Sequence, residues 1–128
     1  MANILIVDDE RDLVELVKVI LARDGHAVRE AFDGVEALSV LGVAPESPEG
    51  FKPDLILVDV WMPQLDGPGL ARRLAQAPKT SAIPLLVLTA KDQVTAQFSS
   101  VQSVAGFISK PFEPKDLRDA VARVLRKR

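Results

Sequence analysis

Acidic side chains stand directly after two apolar runs of the sequence. The run NILIV leads into Asp8 and Asp9, and the run LILV leads into Asp59. Runs of this length and branching are typical of buried strands, so each acid is expected at the carboxyl end of a strand. Neighbouring carboxylates repel one another, which raises at least one pKa unless a cation lies among them. Because Mg²⁺ and Mn²⁺ prefer oxygen ligands, this acid set is typical of a divalent-metal site.

A hydroxyl and an ammonium group belong to two later apolar runs, where Thr89 ends one run and Lys110 follows the other. Both groups suit a phosphoryl ligand, since a hydroxyl donates a hydrogen bond to its oxygens and an ammonium neutralises their charge. A carboxylate can act as a nucleophile and form an acyl phosphate. If the strand ends meet, these residues predict phosphoryl transfer onto Asp59.

Each residue of this set also has an ordinary structural role. An acid pair after a strand commonly caps the next helix, Asp59 could begin a turn, a threonine can simply end a strand, and a lysine before proline is commonly solvated. Separate structural roles would not account for all of these residue types at four different strand ends. Their joint occurrence favours chemistry at Asp59.

Strand-like and helix-like patterns alternate five times along the chain. Apolar runs predict the strands, and apolar residues at helical spacing predict a helix after each strand. The predicted strands cover residues 3–7, 27–31, 55–58, 83–89 and 106–109, and the predicted helices lie around residues 13–21, 37–41, 70–74, 92–104 and 114–125. This order predicts a doubly wound α/β fold, a five-stranded parallel sheet with right-handed crossovers and helices on both faces. Ligands of such sheets bind at the carboxyl ends of the strands.

Two segments fit the alternation less well. Residues 42–53 contain three prolines and two glycines, which predicts a long surface loop. The loop is either functional or a tolerated insertion, and we prefer the insertion. Residues 92–104 are rich in Ser, Gln and Val and carry no charge after Asp92, so they form the weakest of the predicted helices.

Composition excludes several classes of function. The chain has no cysteine and a single histidine, so disulfide frameworks, thiolate zinc sites and Ser-His triads are not expected. Acids predominate in residues 1–60 and bases in residues 61–128, which disfavours a nucleic-acid module with its broad basic footprint. No apolar run approaches the roughly 20 residues of a membrane span. We expect one soluble, cytoplasmic domain over residues 1–128, with no direct contact to nucleic acid or membrane.

The motifs around these strand ends resemble a known family. The chain carries DD at 8–9, MPQLDG shortly after Asp59, LTA at 88–90 and SKPF at 109–112. Together they resemble the receiver domain of two-component response regulators, of the chemotaxis-regulator type, over the whole chain. The resemblance implies a flavodoxin-like sheet with strand order 2-1-3-4-5, and a phospho-accepting signalling module that is not an enzyme.

The resemblance also implies a role for each site residue. Asp59 would be the phospho-acceptor, with Thr89 and Lys110 contacting the phosphoryl oxygens and with a cis peptide bond after Lys110. Mg²⁺, or Mn²⁺ in its place, would be held by Asp59, by one or both acids of the DD pair and by the backbone carbonyl of Trp61. Phosphorylation would act through Thr89 and Phe107 on the face made by the fourth helix, fifth strand and fifth helix.

That face would bind a downstream protein or a second copy of the chain. The phosphoryl group would come from a sensor histidine kinase or a histidine phosphotransfer protein.

The sequence departs from the family pattern at several positions. Phe107 lacks the hydroxyl of the tyrosine often found there, so a switch would run on burial alone. Trp61 is bulky and could shield the phosphoryl group from water, with Lys91 bringing charge to its rim. Alternatively, Trp61 could be an exposed anchor for a partner protein.

Three other functions compete with this interpretation. An aspartate-nucleophile phosphohydrolase of similar architecture commonly has a second acid two residues after the nucleophile, where this chain has Trp61. A receiver that binds proteins without phosphorylation is another alternative, which the intact set of Asp, Thr and Lys residues disfavours. A nucleotide-binding module is weaker still, because no glycine-rich loop follows the first strand.

Overall fold

The computed structural model describes residues 2–90 and 96–126. Lys91, the first residues of the predicted helix over 92–104, and the last two basic residues lie outside this part of the chain. The described elements are β1 (Asn3–Val7), α1 (Arg11–Ala22), β2 (Ala27–Ala31), α2 (Gly34–Val40), β3 (Leu55–Asp59), α3 (Gly67–Gln76), β4 (Leu85–Ala90), a 3₁₀ helix (Ala96–Phe98), β5 (Val104–Lys110) and α4 (Pro114–Arg126). None of these helices is long and apolar enough to cross a membrane.

The five strands form one parallel sheet in the order β2-β1-β3-β4-β5. This confirms the doubly wound fold and the order 2-1-3-4-5. Strand β3 lies at the centre, and all five of its residues are buried. Buried strands of parallel sheets are expected to be apolar throughout, so Asp59 at the end of β3 stands out.

The core lies on both faces of the sheet because successive side chains of a strand point to opposite sides. Leu5 and Ile56 face the cluster that packs under α2 and α3, whereas Ile4 and Leu57 face the cluster under α1 and α4. Each face therefore carries two helices, as the predicted doubly wound fold requires.

Side-chain caps fix where two of the helices begin. The Asp33 carboxylate accepts a hydrogen bond from the Glu36 N–H at 2.7 Å, and Glu36 accepts one from the Phe32 N–H at 2.6 Å. A full capping box would have Glu36 accept from the Asp33 N–H, so only the Asp33 half of that motif is formed here, and Glu36 bonds the residue before the N-cap. At α3, the Asp66 carboxylate accepts from the Gly69 N–H at 2.8 Å.

The prediction of a helix over residues 92–104 is wrong for its described part. Residues 96–98 form only a short 3₁₀ helix, turns follow, and β5 already begins at Val104. Phe98 and Val101 are buried in the cluster that also contains Val87. The segment contains several residues that form helices poorly, so its helical tendency is weak. Burial of the Phe98 and Val101 side chains therefore decides its conformation. Strand β5 is correspondingly longer than its predicted range of 106–109.

The loop over residues 42–53 is hydrogen-bonded to the turn that follows α3. The Lys79 ammonium donates hydrogen bonds to the carbonyl oxygens of Gly42, at 3.0 Å, and Ser47, at 2.7 Å. Gly42 has a φ of 72°, a backbone conformation that favours glycine. The prediction of a loop is confirmed, and the cis peptide bond at Ala44-Pro45 was not anticipated.

Candidate functional site

The predicted site residues converge at the carboxyl edge of the sheet. Asp8 follows β1, Asp59 is the last residue of β3, and Lys110 is the last residue of β5. Thr89 lies on β4, the strand between β3 and β5, where it pairs in register with Ser109. Parallel strands bring their carboxyl ends to one edge, so the sheet itself assembles this set.

The Lys110 ammonium is the centre of the site. Its Nζ lies 2.9 Å from Asp8 Oδ2, 3.0 Å from Asp59 Oδ1 and 3.1 Å from Glu10 Oε1. Sequence reasoning placed the first two acids near Lys110 and missed Glu10. The available signal was the third consecutive acid after β1. A cis peptide bond joins Lys110 to Pro111, as the resemblance implied.

Oxygen atoms of Asp8, Asp9 and Asp59 all lie within 4.8 Å of one another. Asp8 and Asp59 are buried, whereas Asp9 is exposed. This mixture leaves one side of the acid cluster open to solvent. Hard divalent cations such as Mg²⁺ bind through carboxylate oxygens and keep several water ligands, so the donor set and its open side fit such an ion.

Burial is the main influence on the ionisation of the two buried acids, and neighbouring negative charge adds to it. Burial, followed by the neighbouring charge of Asp8, raises the pKa of Asp59 to about 6 despite the hydrogen bond from Lys110. Burial also raises the pKa of Asp8, and the hydrogen bonds from the Glu10 N–H and Lys110 offset this only in part. One ammonium therefore does not fully compensate these carboxylates, and a second cation would be stabilised among them.

Lys110 remains charged in this setting. Its burial alone would lower the pKa, but hydrogen bonds and charge interactions with Asp8 and Asp59 raise that pKa above its ordinary value. A partly buried ammonium with a raised pKa supplies a fixed positive charge at the strand ends. Such a charge favours binding of an anionic group near Asp59.

Glycine allows the loop after β3 to fold back on the strand. The Gly67 N–H donates to the Val60 carbonyl at 2.8 Å, and a Cβ at residue 67 would collide with the Asp59 carbonyl. Gln64 in the same loop has a positive φ of 73°. Trp61, two residues beyond Asp59 in this loop, is 55% exposed.

Thr89 and Phe107 lie on neighbouring strands and on the same face of the sheet. Val87 is in register with Phe107, and Thr89 is two residues further along the same strand. Thr89 is buried, whereas Phe107 is 48% exposed. The Phe107 ring meets the buried ring of Phe98 edge to face, with 6.1 Å between their centroids.

A cavity of about 570 Å³ opens beside Phe107, at the other end of β5 from the acids. Leu86 and Gly106 line it from the sheet, and Arg123 and Val124 line it from α4. The cavity contains none of the strand-end acids. It marks a surface of β5 and α4 that is separate from the site around Asp59.

Comparison with known proteins identifies similarity over nearly the whole chain. Residues 4–122 match the family model described as the response regulator receiver domain. The chain is 38% identical over 126 residues to the alkaline phosphatase synthesis transcriptional regulatory protein PhoP of Bacillus subtilis, covering 98% of this chain and 49% of that protein. It is 33% identical to the DNA-binding dual master transcriptional regulator RpaA of Synechocystis, covering 99% of this chain and 50% of that protein. The chain thus spans about half the length of these curated relatives.

Solved structures show the same architecture. The signal receiver domain of a signal transduction histidine kinase from Syntrophus aciditrophicus superposes with a TM-score of 0.82 at 32% identity, covering 99% of this chain and 92% of that chain. The chemotaxis response regulator CheY4 of Vibrio cholerae superposes with a TM-score of 0.82 at 28% identity, covering 97% of this chain and 98% of that chain.

Proposed function

The chain belongs to the receiver domains of response regulators, and from that premise we propose that Asp59 is its phospho-acceptor. The proposal is carried by one observation, the Lys110 ammonium held 3.0 Å from Asp59 Oδ1 and 2.9 Å from Asp8 Oδ2. A carboxylate in this position, beside a positive charge, would be suited to act as the nucleophile. Both features are what an incoming phosphoryl group requires.

The phosphoryl group would come from a phosphohistidine of a sensor histidine kinase or a histidine phosphotransfer protein. An Asp59 oxygen forms the new O–P bond while the histidine N–P bond breaks, and the histidine nitrogen keeps the electron pair. The product is an acyl phosphate on Asp59. Lys110 and the Thr89 hydroxyl would contact the phosphoryl oxygens.

Mg²⁺, with Mn²⁺ as the alternative, would be held by Asp8, Asp9, Asp59 and the backbone carbonyl of Trp61. The support is the group of three carboxylates within 4.8 Å of one another and the raised pKa values of the two buried acids. The ion would neutralise negative charge where the acids and the phosphoryl oxygens meet.

The output surface would be formed by β5 and α4. Thr89 would move toward the phosphoryl group, and Phe107 would turn from its half-exposed position toward the space beside Thr89. The cavity beside Phe107 gives this surface a recess for a downstream protein or a second copy of the chain. In place of the predicted fourth helix, the described segment before β5 contributes Gln102 and Ser103 to the lining of this cavity.

We propose a single cytoplasmic receiver domain that acts as a phospho-accepting switch and is not an enzyme, with no direct binding of nucleic acid or membrane. A phosphohydrolase is less well supported because Trp61 stands where a second acid would act on the leaving group. A scaffold that never accepts phosphate would not need the Lys110 ammonium held between two buried carboxylates.

The direct experiment is intact-mass measurement after incubation with Mg²⁺ and phosphoramidate. The wild-type protein should gain one phosphoryl group, and Asp59→Asn should gain none. Asp12→Asn is the matched control, because it removes an exposed acid of α1 and should still be phosphorylated. Phosphorylation of Asp59→Asn, or of neither protein, would contradict the proposal.

A further inference from the structure

All three N–H donors of the Lys110 ammonium have a carboxylate partner. An ammonium group offers three donors and no acceptor. Its partners are Asp8 at 2.9 Å, Asp59 at 3.0 Å and Glu10 at 3.1 Å. A phosphoryl oxygen can therefore accept a hydrogen bond from Lys110 only if the bond to one of these carboxylates breaks.

The three partners differ in how readily they can leave. The side chains of Asp8 and Asp59 are 0% and 7% exposed, whereas the Glu10 side chain is 63% exposed. Removing a buried partner leaves an unpaired charge in the interior, which is strongly unfavourable. Glu10 can exchange its bond for water, and an exposed ion pair contributes little. Glu10 is therefore the partner that is released most easily.

Asp8 is further restrained by the backbone next to it. Its second oxygen, Oδ1, accepts a hydrogen bond from the Glu10 N–H at 2.9 Å. The backbone of Glu10 thus holds Asp8 in place while the side chain of Glu10 reaches Lys110. Movement of the Glu10 side chain alone would leave the bond to Asp8 intact.

We propose that Glu10 occupies the position on Lys110 that a phosphoryl oxygen takes when Asp59 is phosphorylated. Before phosphorylation, Glu10 completes the three partners of the ammonium. When the phosphodonor binds, its phosphoryl oxygen replaces the Glu10 carboxylate and Glu10 turns to solvent. Glu10 is a positioning residue that competes with the donor, and this role rests on Asp59 being the phospho-acceptor.

The test measures the initial rate of phosphorylation by phosphoramidate at saturating Mg²⁺, as a function of donor concentration. The P–N bond of the donor breaks, an O–P bond to Asp59 forms, and ammonia leaves. Glu10→Ala and Glu10→Gln should lower the half-saturating donor concentration about threefold, the scale of an exposed ion pair, with little change in the maximal rate. Asp12→Asn is the control, since Asp12 is an exposed acid at the second position of α1. It should leave both the half-saturating concentration and the maximal rate unchanged.

The Glu10→Asp variant distinguishes the effect of the hydrogen bond to Lys110 from the effect of a negative charge at position 10. Glu10 is the N-cap residue of α1 and makes no side-chain cap hydrogen bond. Aspartate at an N-cap bonds to N–H groups of the first helical turn, which would draw its shorter side chain away from Lys110. Glu10→Asp should therefore resemble Glu10→Ala in half-saturating donor concentration, even though it keeps the charge and should have a higher Tm than wild type.

The outcomes distinguish this inference from the proposed function. If wild type gains no phosphoryl group, the assignment of Asp59 fails and the inference fails with it. If wild type is phosphorylated and Glu10→Ala has the half-saturating concentration of Asp12→Asn, only the role of Glu10 is wrong. A Glu10→Asp protein with wild-type kinetics would also overturn it, because the effect would then come from charge alone.

Discussion

Lys110 Nζ lies 3.0 Å from Asp59 Oδ1 and joins two residues that are 51 positions apart in the chain. Strand β4 lies between the strands that end in these residues. The ion pair therefore forms only when three strands have assembled in the correct order. It also links the carboxylate that we assign as acceptor to the edge strand of the proposed output surface.

Lys110→Gln is expected to slow phosphorylation of Asp59 by phosphoramidate at least about tenfold, because the variant lacks the positive charge that would stabilise the phosphoryl oxygens. The initial rate of mass gain at saturating Mg²⁺ measures the effect. Lys115→Gln is the matched control, since Lys115 is an exposed lysine of α4 that pairs with Asp119. Equal rates for the two variants would argue against contact between Lys110 and the phosphoryl group.

Asp59→Asn is expected to stabilise the metal-free protein near neutral pH. The pKa of Asp59 is raised to about 6 in the fold, so between the unfolded pKa and about pH 6 the native state binds more protons than the unfolded state. The free energy of unfolding therefore falls as pH rises through this window, and the full penalty is present above it. The asparagine variant lacks that penalty.

Urea denaturation in the presence of a chelator measures this effect. Because loss of the bond to Lys110 offsets part of the gain, the free energy of unfolding should rise by roughly 1–2 kcal/mol at about pH 7.5 and by less at about pH 5. Asp12→Asn should show no comparable pH-dependent gain. A less stable Asp59→Asn protein at the higher pH would refute the prediction.

Binding of Mg²⁺ is expected to weaken as pH falls through about 6, because protons compete for the Asp59 carboxylate. Trp61, the single tryptophan of the chain, lies two residues from Asp59 and serves as the fluorescent probe. The half-saturating Mg²⁺ concentration should rise roughly tenfold between about pH 7.5 and about pH 5. Asp59→Asn should bind more weakly with a flatter profile, and a pH-independent wild-type affinity would exclude competition at this carboxylate.

The convergence of acids, hydroxyl and ammonium was predictable because it depends on periodicity and strand order. Apolar runs identified the strands, and parallel strands bring the residues that end them to one edge. Asp59, Thr89 and Lys110 could be placed in this way without knowledge of any side-chain contact. The bond from the Glu36 N–H to the Asp33 carboxylate is a local feature of the same kind, since it depends only on the spacing of the two residues.

Contacts between residues distant in sequence were not predictable in the same way. The bond of Glu10 to Lys110 depends on side-chain reach across 100 positions, and no local pattern reports it. The same holds for Lys79, which holds the loop at Gly42. The predicted helix over 92–104 failed in its described part because burial of Phe98 and the pairing of β5 outweighed a weak helical pattern.

Phosphorylation is expected to bury the side chain at position 107. Phe107 is half exposed and lies on the same face of the sheet as Thr89, so movement of Thr89 toward a phosphoryl group would open space for an aromatic ring. Phe107→Trp, combined with Trp61→Phe to remove the other indole, reports this change. Its emission should shift to shorter wavelength when Asp59 is phosphorylated.

The control for this measurement is the same double variant carrying Asp59→Asn, which should give no shift with Mg²⁺ and phosphoramidate. An unchanged emission in a protein shown by mass to be phosphorylated would mean that the indole at position 107 stays exposed to solvent. The switch would then have to act through other residues of β5 and α4.

Trp61→Asn is expected to shorten the lifetime of the acyl phosphate about threefold, because a bulky side chain two residues beyond Asp59 would limit the approach of water to the phosphoryl group. The measurement is the loss of phosphoryl mass after the donor is removed. Leu16→Asn is the matched control, since Leu16 is a similarly exposed apolar residue on α1. An unchanged lifetime combined with slower transfer from a kinase would reject shielding and identify Trp61 as a partner anchor, the role that its exposed ring also permits.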